Sequence, residues 1–245
     1  MARRLADAYG RRLDHEAMHL VVQHDLLPHL WVAGHLGGRT FDVLMTELPM
    51  REIQKRLDGA YGLHPESTTL ADFRADEEIV AAEDEALKRA RHIITPHTAI
   101  ARLFRERARL IPWSMPAPKP RASRRPVRTI LFPASTVARK GCYELRDAMR
   151  GMDVKLLTMG PTIEADNFWD GFAVRPAGVD GLQTADVVVL PAFIEHRPRR
   201  LLQAVASGVP VIATASCGVE NVEGVSIIPE GDANALRAAL SSVLS

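Results

Sequence analysis

Residues 184–218, TADVVVLPAFIEHRPRRLLQAVASGVPVIATASCG, decide the fold. After an acidic turn, Val187, Val188, Val189 and Leu190 make an unbroken apolar run of strand length. Pro191 closes that strand and opens a loop holding Glu195. A helix is predicted from about residue 199; Gly208 and Pro210 end it, and 211–213 read as a second strand. Strand, loop, helix and strand in this order form the repeating unit of a parallel α/β sheet. Ligands of such sheets settle beyond the carboxyl ends of the strands, so the loop with Glu195, Arg197, Arg199 and Arg200 faces the crevice. A carboxylate beside three arginines suits a ligand that is both hydroxylated and anionic.

The same alternation extends in both directions. Downstream lie a strand at 225–228 and a closing helix that Asp232 caps, with Ala235, Leu236, Ala239, Leu240 and Val243 on its apolar face. Upstream, strands are predicted at 129–132 and 154–159, a helix over 143–149, an extended piece at 172–174 and a helical turn at 182–185. Before these, residues 116–128, PAPKPRASRRPVR, combine prolines with Lys119, Arg121, Arg124, Arg125 and Arg128 and contain no acid. That composition reads as a stiff solvated linker at a domain boundary. Clustered basic residues also suit peripheral contact with an anionic membrane surface, and both readings stand. In 1–115, strands are predicted at 19–23, 41–46, 92–95 and 109–112, and helices over 1–16, 29–36, 51–60, 76–90 and 97–107. The reading is α/β, with two Rossmann-like doubly wound domains at 1–115 and 129–245, the first incomplete because four strands make a thin sheet.

The totals restrict the function classes. With 245 residues and 47% hydrophobic content, the chain can bury one large core or two modest ones. A net charge of +1 gives no global attraction to nucleic acid. No apolar run approaches the roughly 20 residues that span a bilayer, and the start, MARRLADAYGRRLDHE, lacks the apolar stretch of a secretory leader. Cys142 and Cys217 do not make a disulfide framework, and the chain reads as cytoplasmic.

The stretch resembles the retaining glycosyltransferases of the GT-B fold, the glycosyl transferases group 1. Their signature is a strand ending in Pro-Ser, a Glu, seven residues, a second Glu, then Ala-x-Ala-x-Gly-x-Pro-Val. Here Leu190, Pro191 and Ala192 precede Glu195, and Ala204, Ala206, Gly208, Pro210 and Val211 fall in place. The second Glu is replaced by Gln203, and the usual Gly-Phe-Gly by His196, Arg197 and Pro198. In the resembled family several strand and helix units precede the one equivalent to 19–23. The upstream half of the first domain is therefore expected to be missing.

The resemblance implies roles for named residues. Glu195 would orient the donor sugar, since a carboxylate accepts two hydrogen bonds from vicinal hydroxyls. Gln203 would hold the ribose, without the charge that roughly doubles such a bond's strength. Lys140 and Gly141 match a Lys-Gly that grips the diphosphate, but the family's Gly-Arg before it is Ala134 and Ser135. Arg139, Arg197, Arg199 and Arg200 would supply the lost charge, because a departing diphosphate needs cationic stabilisation. Gly218, Val219 and Glu220 resemble a turn whose small residues let backbone amides approach phosphate or sugar. His24, after the first strand, would lie near the reacting face. For each of these an ordinary alternative stands: an exposed loop acid, a helix residue, a strand-to-helix turn or a bystander histidine.

One motif points elsewhere. His15, Glu16 and His19 spell the H-E-x-x-H of zinc proteases, whose two imidazoles must sit one helical turn apart. The strand predicted from residue 19 breaks that helix. As a whole the resemblance implies sugar transfer with retention in the groove between the domains, from a UDP- or GDP-type donor. It implies no metal or other cofactor, and an acceptor such as a lipid-linked sugar or polysaccharide. The rival reading is a non-catalytic relative that keeps the fold as a nucleotide-sugar-binding or accessory subunit.

Overall fold

The computed structural model describes residues 1–71, 74–120, 128–178 and 180–245. Of the linker residues singled out above, Arg121, Arg124 and Arg125 lie outside the described residues. Contacts divide the chain into two units: Met1–Lys55 with Phe73–Trp113, and Arg56–Asp72 with Ser114–Ser245.

The first unit contains α1 (Ala2–Gly10), β1 (His19–Gln23), α2 (Leu27–Val32), β2 (Thr40–Leu44) and the start of α3 (Met50–Leu63). It continues with α4 (Glu77–Arg89), β3 (Ile93–Thr95), α5 (Thr98–Phe104) and β4 (Ala108–Leu110). Its four strands are parallel and lie in chain order, β1-β2-β3-β4. Val22, Val43 and Ile93 project from the first three strands into a core with Leu27, Leu30, Phe41, Ala86 and Leu87. The predicted helix at 29–36 is displaced to Leu27–Val32. Pro28 sits in its first turn, where the missing N–H has no intrahelical partner to lose, so this proline begins the helix. Asp76 caps α4 by accepting from the amides of Glu78 (2.9 Å) and Ile79 (3.3 Å), with acids in the first turn and Lys88 and Arg89 in the last.

The second unit contains β5 (Thr129–Phe132), α6 (Cys142–Met149), β6 (Lys155–Thr158), β7 (Val174–Pro176), α7 (Gly181–Thr184) and β8 (Val187–Leu190). It ends with α8 (Arg199–Ala206), β9 (Val211–Thr214), β10 (Val225–Ile228) and α9 (Ala233–Leu244). The six strands are parallel in the order β10-β9-β8-β5-β6-β7. All residues of β5, β8 and β9 are buried, which is why they read as continuous apolar runs. Pro176 falls in β7, an edge strand, where a missing backbone donor is tolerated. The chain leaves β5 toward β6 and β7, then returns to lay β8 on the other flank. The strand order therefore reverses between β5 and β8.

Segment 56–72 belongs to this second unit, although periodicity reads it as the end of a helix and a polar loop of the first. The fastening is the buried carboxylate of Glu164. It accepts from Ser67 Oγ (3.1 and 3.0 Å), the Thr68 amide (3.2 Å), Thr69 Oγ1, the Ala138 amide (2.6 Å) and the Tyr143 hydroxyl (3.2 Å). Beside it, His64 stacks on Tyr143 at 4.5 Å and bonds Glu144 at 2.6 Å. Burial pulls the His64 pKa down, but the bond to Glu144 and the charges of Glu144, Glu66 and Asp147 outweigh it and leave the value raised.

Two outcomes are expected. Replacing Glu164 by Ala strands several buried donors and should lower the unfolding free energy of this unit by about 3 kcal/mol in urea titrations followed by Trp169 fluorescence. Because the His64 pKa is raised on folding, its contribution is complete below the ordinary histidine value and is lost as pH rises through the raised one. His64→Gln should remove that decline from the stability-versus-pH curve.

Candidate functional site

The reversal of strand order between β5 and β8 opens a crevice at their carboxyl ends. Two loops meet there, 133–141 after β5 and 191–198 after β8. The Arg139 carbonyl accepts from the amides of Phe193 (3.0 Å) and Ile194 (3.3 Å). The carbonyl of Pro191 lies so close to Gly141 that a β-carbon there would stand 2.1 Å from it, and the φ of +77° is one that glycine tolerates best. Gly160, after β6, is equally confined, since a β-carbon would fall 2.5 Å from Ser135 Oγ. The Lys-Gly pair is thus a steric requirement for seating one loop on the other as well as a source of charge.

Lys140 lies across the seam. Its Nζ donates to the Ile194 carbonyl at 2.8 Å and to Glu195 Oε2 at 3.0 Å. Glu195 Oε1 accepts from the Arg197 amide at 2.8 Å. The side chains of Lys140 and Glu195 are 18% and 14% exposed, so the pair is shielded without being sealed. Burial pushes the Glu195 carboxyl up, but the Lys140 charge, the Arg197 amide and the Lys140 hydrogen bond outweigh it, and its pKa ends lowered. One ammonium hydrogen of Lys140 is left beyond these bonds.

Around this pair is a pocket of about 370 Å³ lined by Ser135, Arg139, Lys140, Gly160, Glu195, Arg197, Arg199 and Arg200, with Val137, Met159, Pro198 and Leu201 among its apolar walls. Arg139, Arg197, Arg199 and Arg200 are exposed. Arg199 and Arg200 occupy the first turn of α8, which has no acid and no side-chain cap. Amides and cations at that helix end concentrate positive potential on the pocket, a setting for an anion.

The other predicted site residues lie elsewhere. Gln203 is on α8 outside the pocket lining and donates its amide to the Ala117 carbonyl at 2.7 Å. Gly218 follows a short turn after β9, Val219 is fully buried and Glu220 is exposed. His24, 6% exposed, opens a turn after β1 in the first unit, with Nε2 2.7 Å from Glu83 Oε1 but off the line a hydrogen bond needs. His15 lies in a turn and His19 begins β1, so the two imidazoles of the H-E-x-x-H sequence are not carried on one helix. Cys142 and Cys217 are buried free thiols, and burial pushes Cys217 up to about 12, leaving it inert. Among the described residues no helix is long and apolar enough to cross a membrane.

Residues 130–245 match the family model described as glycosyl transferases group 1. No functionally curated protein matches the chain. A sucrose-phosphate synthase from Thermosynechococcus elongatus superposes with a TM-score of 0.69 at 21% identity, over 99% of this chain and 67% of that one. The chain has the fold of the GT-B glycosyltransferases. The lipopolysaccharide outer core galactosyltransferase WaaB gives a TM-score of 0.64 at 12% identity, over 99% of this chain and 70% of that one. HepE of Anabaena, solved with UDP and glucose, gives 0.65 at 14% identity, over 100% of this chain and 71% of that one.

Lys140→Ala removes the cation that does most to hold Glu195 ionised and leaves chiefly the Arg197 amide to oppose burial. The Glu195 carboxyl should then titrate higher than in the native protein, where it titrates below its ordinary value, as read by carboxyl-carbon NMR. The stabilisation from Glu195 is present above its unfolded value and lost as pH falls through the lowered folded one. In Lys140→Ala that loss should be smaller and complete at higher pH.

Proposed function

We propose that the second unit binds a nucleotide-diphosphate sugar in this pocket, and that the chain transfers the sugar to an acceptor with retention of configuration. The observation that carries the reading is the Lys140–Glu195 pair set among four arginines at the strand-order reversal. A diphosphate fits the remaining ammonium hydrogen, the guanidinium groups of Arg139, Arg199 and Arg200 and the amino end of α8. Vicinal sugar hydroxyls suit the carboxylate of Glu195 as acceptor. The group 1 match over 130–245, and the UDP and glucose bound by HepE, support a UDP- or GDP-type donor. Gln203 offers its side-chain carbonyl to the ribose, and the turn at Gly218, Val219 and Glu220 adjoins the donor. His24 takes part in the reacting step, and no metal or other cofactor is required. The acceptor is a lipid-linked sugar or polysaccharide, the basic linker touches the membrane surface peripherally, and the site of action is the cytoplasm.

A second reading has a specific observation in its favour. Ser135 stands where the resembled family has its arginine, and the Gln203 amide is tied to the Ala117 carbonyl. A chain so altered would bind nucleotide sugars as an accessory subunit without turnover.

Incubation with a panel of nucleotide sugars separates the two. Slow release of nucleoside diphosphate is expected from the enzyme, and binding without release from the accessory subunit. Either way, Arg139→Ala and Arg200→Ala should each weaken UDP or GDP binding about fivefold, near 1 kcal/mol, in calorimetric titrations at low salt. Unchanged affinity in both variants would contradict the diphosphate assignment.

A further inference from the structure

The turn after β1 holds a buried pair in the first unit that the diphosphate pocket does not use. His24 is 6% exposed, and Glu83, on α4, is fully buried. His24 Nε2 stands 2.7 Å from Glu83 Oε1, and Glu83 Oε2 accepts the Met50 amide at 2.6 Å. Met50 opens α3, so its amide is one of the donors that a helix leaves without an intrahelical partner at its amino end. One carboxylate therefore ties the turn after β1 to the start of the helix that follows β2.

The other ring nitrogen is the unexplained atom. His24 Nδ1 is also buried, and no described residue hydrogen-bonds it. A pair built for stability alone would satisfy both nitrogens, because a buried polar atom without a partner costs free energy until one reaches it. A proton between an imidazole and a carboxylate belongs to the imidazole, the stronger base. Nε2 then carries the proton, and a neutral ring keeps the Nδ1 lone pair as an acceptor. The 2.7 Å contact is out of line in this structure, and aligning it takes a rotation of the ring that carries Nδ1 with it.

We infer that Glu83 is a positioning residue, which fixes the Nε2–H form of His24 and so presents Nδ1 as acceptor for a hydroxyl of the reacting sugar. That role rests on the reading above, in which His24 takes part in the reacting step, and adds the residue that sets its state.

Glu83→Gln separates positioning from packing, since it keeps the shape but has only one acceptor oxygen. With that oxygen on the Met50 amide, its amide group faces Nε2, which must then accept, and the proton moves to Nδ1. Long-range proton–nitrogen NMR of the full chain, with His24 assigned by loss of its signal in His24→Gln, should show Nε2 protonated in the native protein and bare in Glu83→Gln. On the nucleotide-sugar panel, Glu83→Gln should lower kcat for diphosphate release about tenfold with KM little changed, and should cause no further loss in a His24→Gln background. A bare Nε2 in the native chain overturns this inference even should no variant fold, and leaves the nucleotide-sugar reading intact. So does a tautomer or a kcat that Glu83→Gln leaves unchanged, or a loss equally large when His24 is already replaced. A native chain that releases no diphosphate from any donor overturns the transfer reading and this one with it.

Discussion

The second unit depends on one ion pair at one seam. Lys140 and Glu195 come from loops that follow different strands, and 3.0 Å between ammonium and carboxylate fixes one loop against the other. The pair is shielded enough for its attraction to be felt and open enough for a ligand to reach both partners. Charge alone would not achieve this. The contact needs Gly141 to let the Pro191 carbonyl approach, and the Arg139 carbonyl to take up two amides of the facing loop. Geometry and electrostatics are satisfied by the same few residues, which is why they cluster in sequence as Arg139, Lys140 and Gly141.

Around the seam, topology does the positioning. A sheet whose strand order reverses leaves a gap at its carboxyl edge that no helix covers, and here it falls between β5 and β8. Among the described residues, the strands of the first unit run in chain order with no such reversal. The buried carboxylate of Glu164 supports the seam from beneath by holding the Ala138 amide, one residue before Arg139, and by fastening Ser67, Thr68 and Thr69 to the same point. A buried acid surrounded by five donor groups is costly to disturb, and this gives the loop above it a rigid footing.

Much of this was legible in the residues themselves. Fully buried parallel strands announce themselves as apolar runs, so β5, β8 and β9 were plain from Ile130, Val188 and Ile212 and their neighbours. Asp232 and its apolar stripe marked α9, whose N-cap bond to the Ala235 amide is 2.8 Å long. The loop charges at Arg139, Lys140, Glu195, Arg197, Arg199 and Arg200 were all visible, and the structure brings these together in one pocket. Contacts between distant segments were not legible. Nothing in the polar run from His64 to Thr69 says that a carboxylate 95 to 97 positions later will bind it, because periodicity reports only which face of an element is buried. For the same reason the amide of Gln203 could not be foreseen on the Ala117 carbonyl, nor His24 beside Glu83. Pro28 misled for a local reason, since a proline that stops one helix also starts another.

The claim that the seam is a seat for a nucleoside diphosphate has one direct test, the crystal structure of the chain grown with UDP and, separately, with GDP. The account predicts phosphate oxygens within hydrogen-bond distance of Lys140 and of at least one of Arg139, Arg199 and Arg200, at the amino end of α8. A nucleotide bound elsewhere with that pocket empty, or no nucleotide at millimolar concentration, would contradict it.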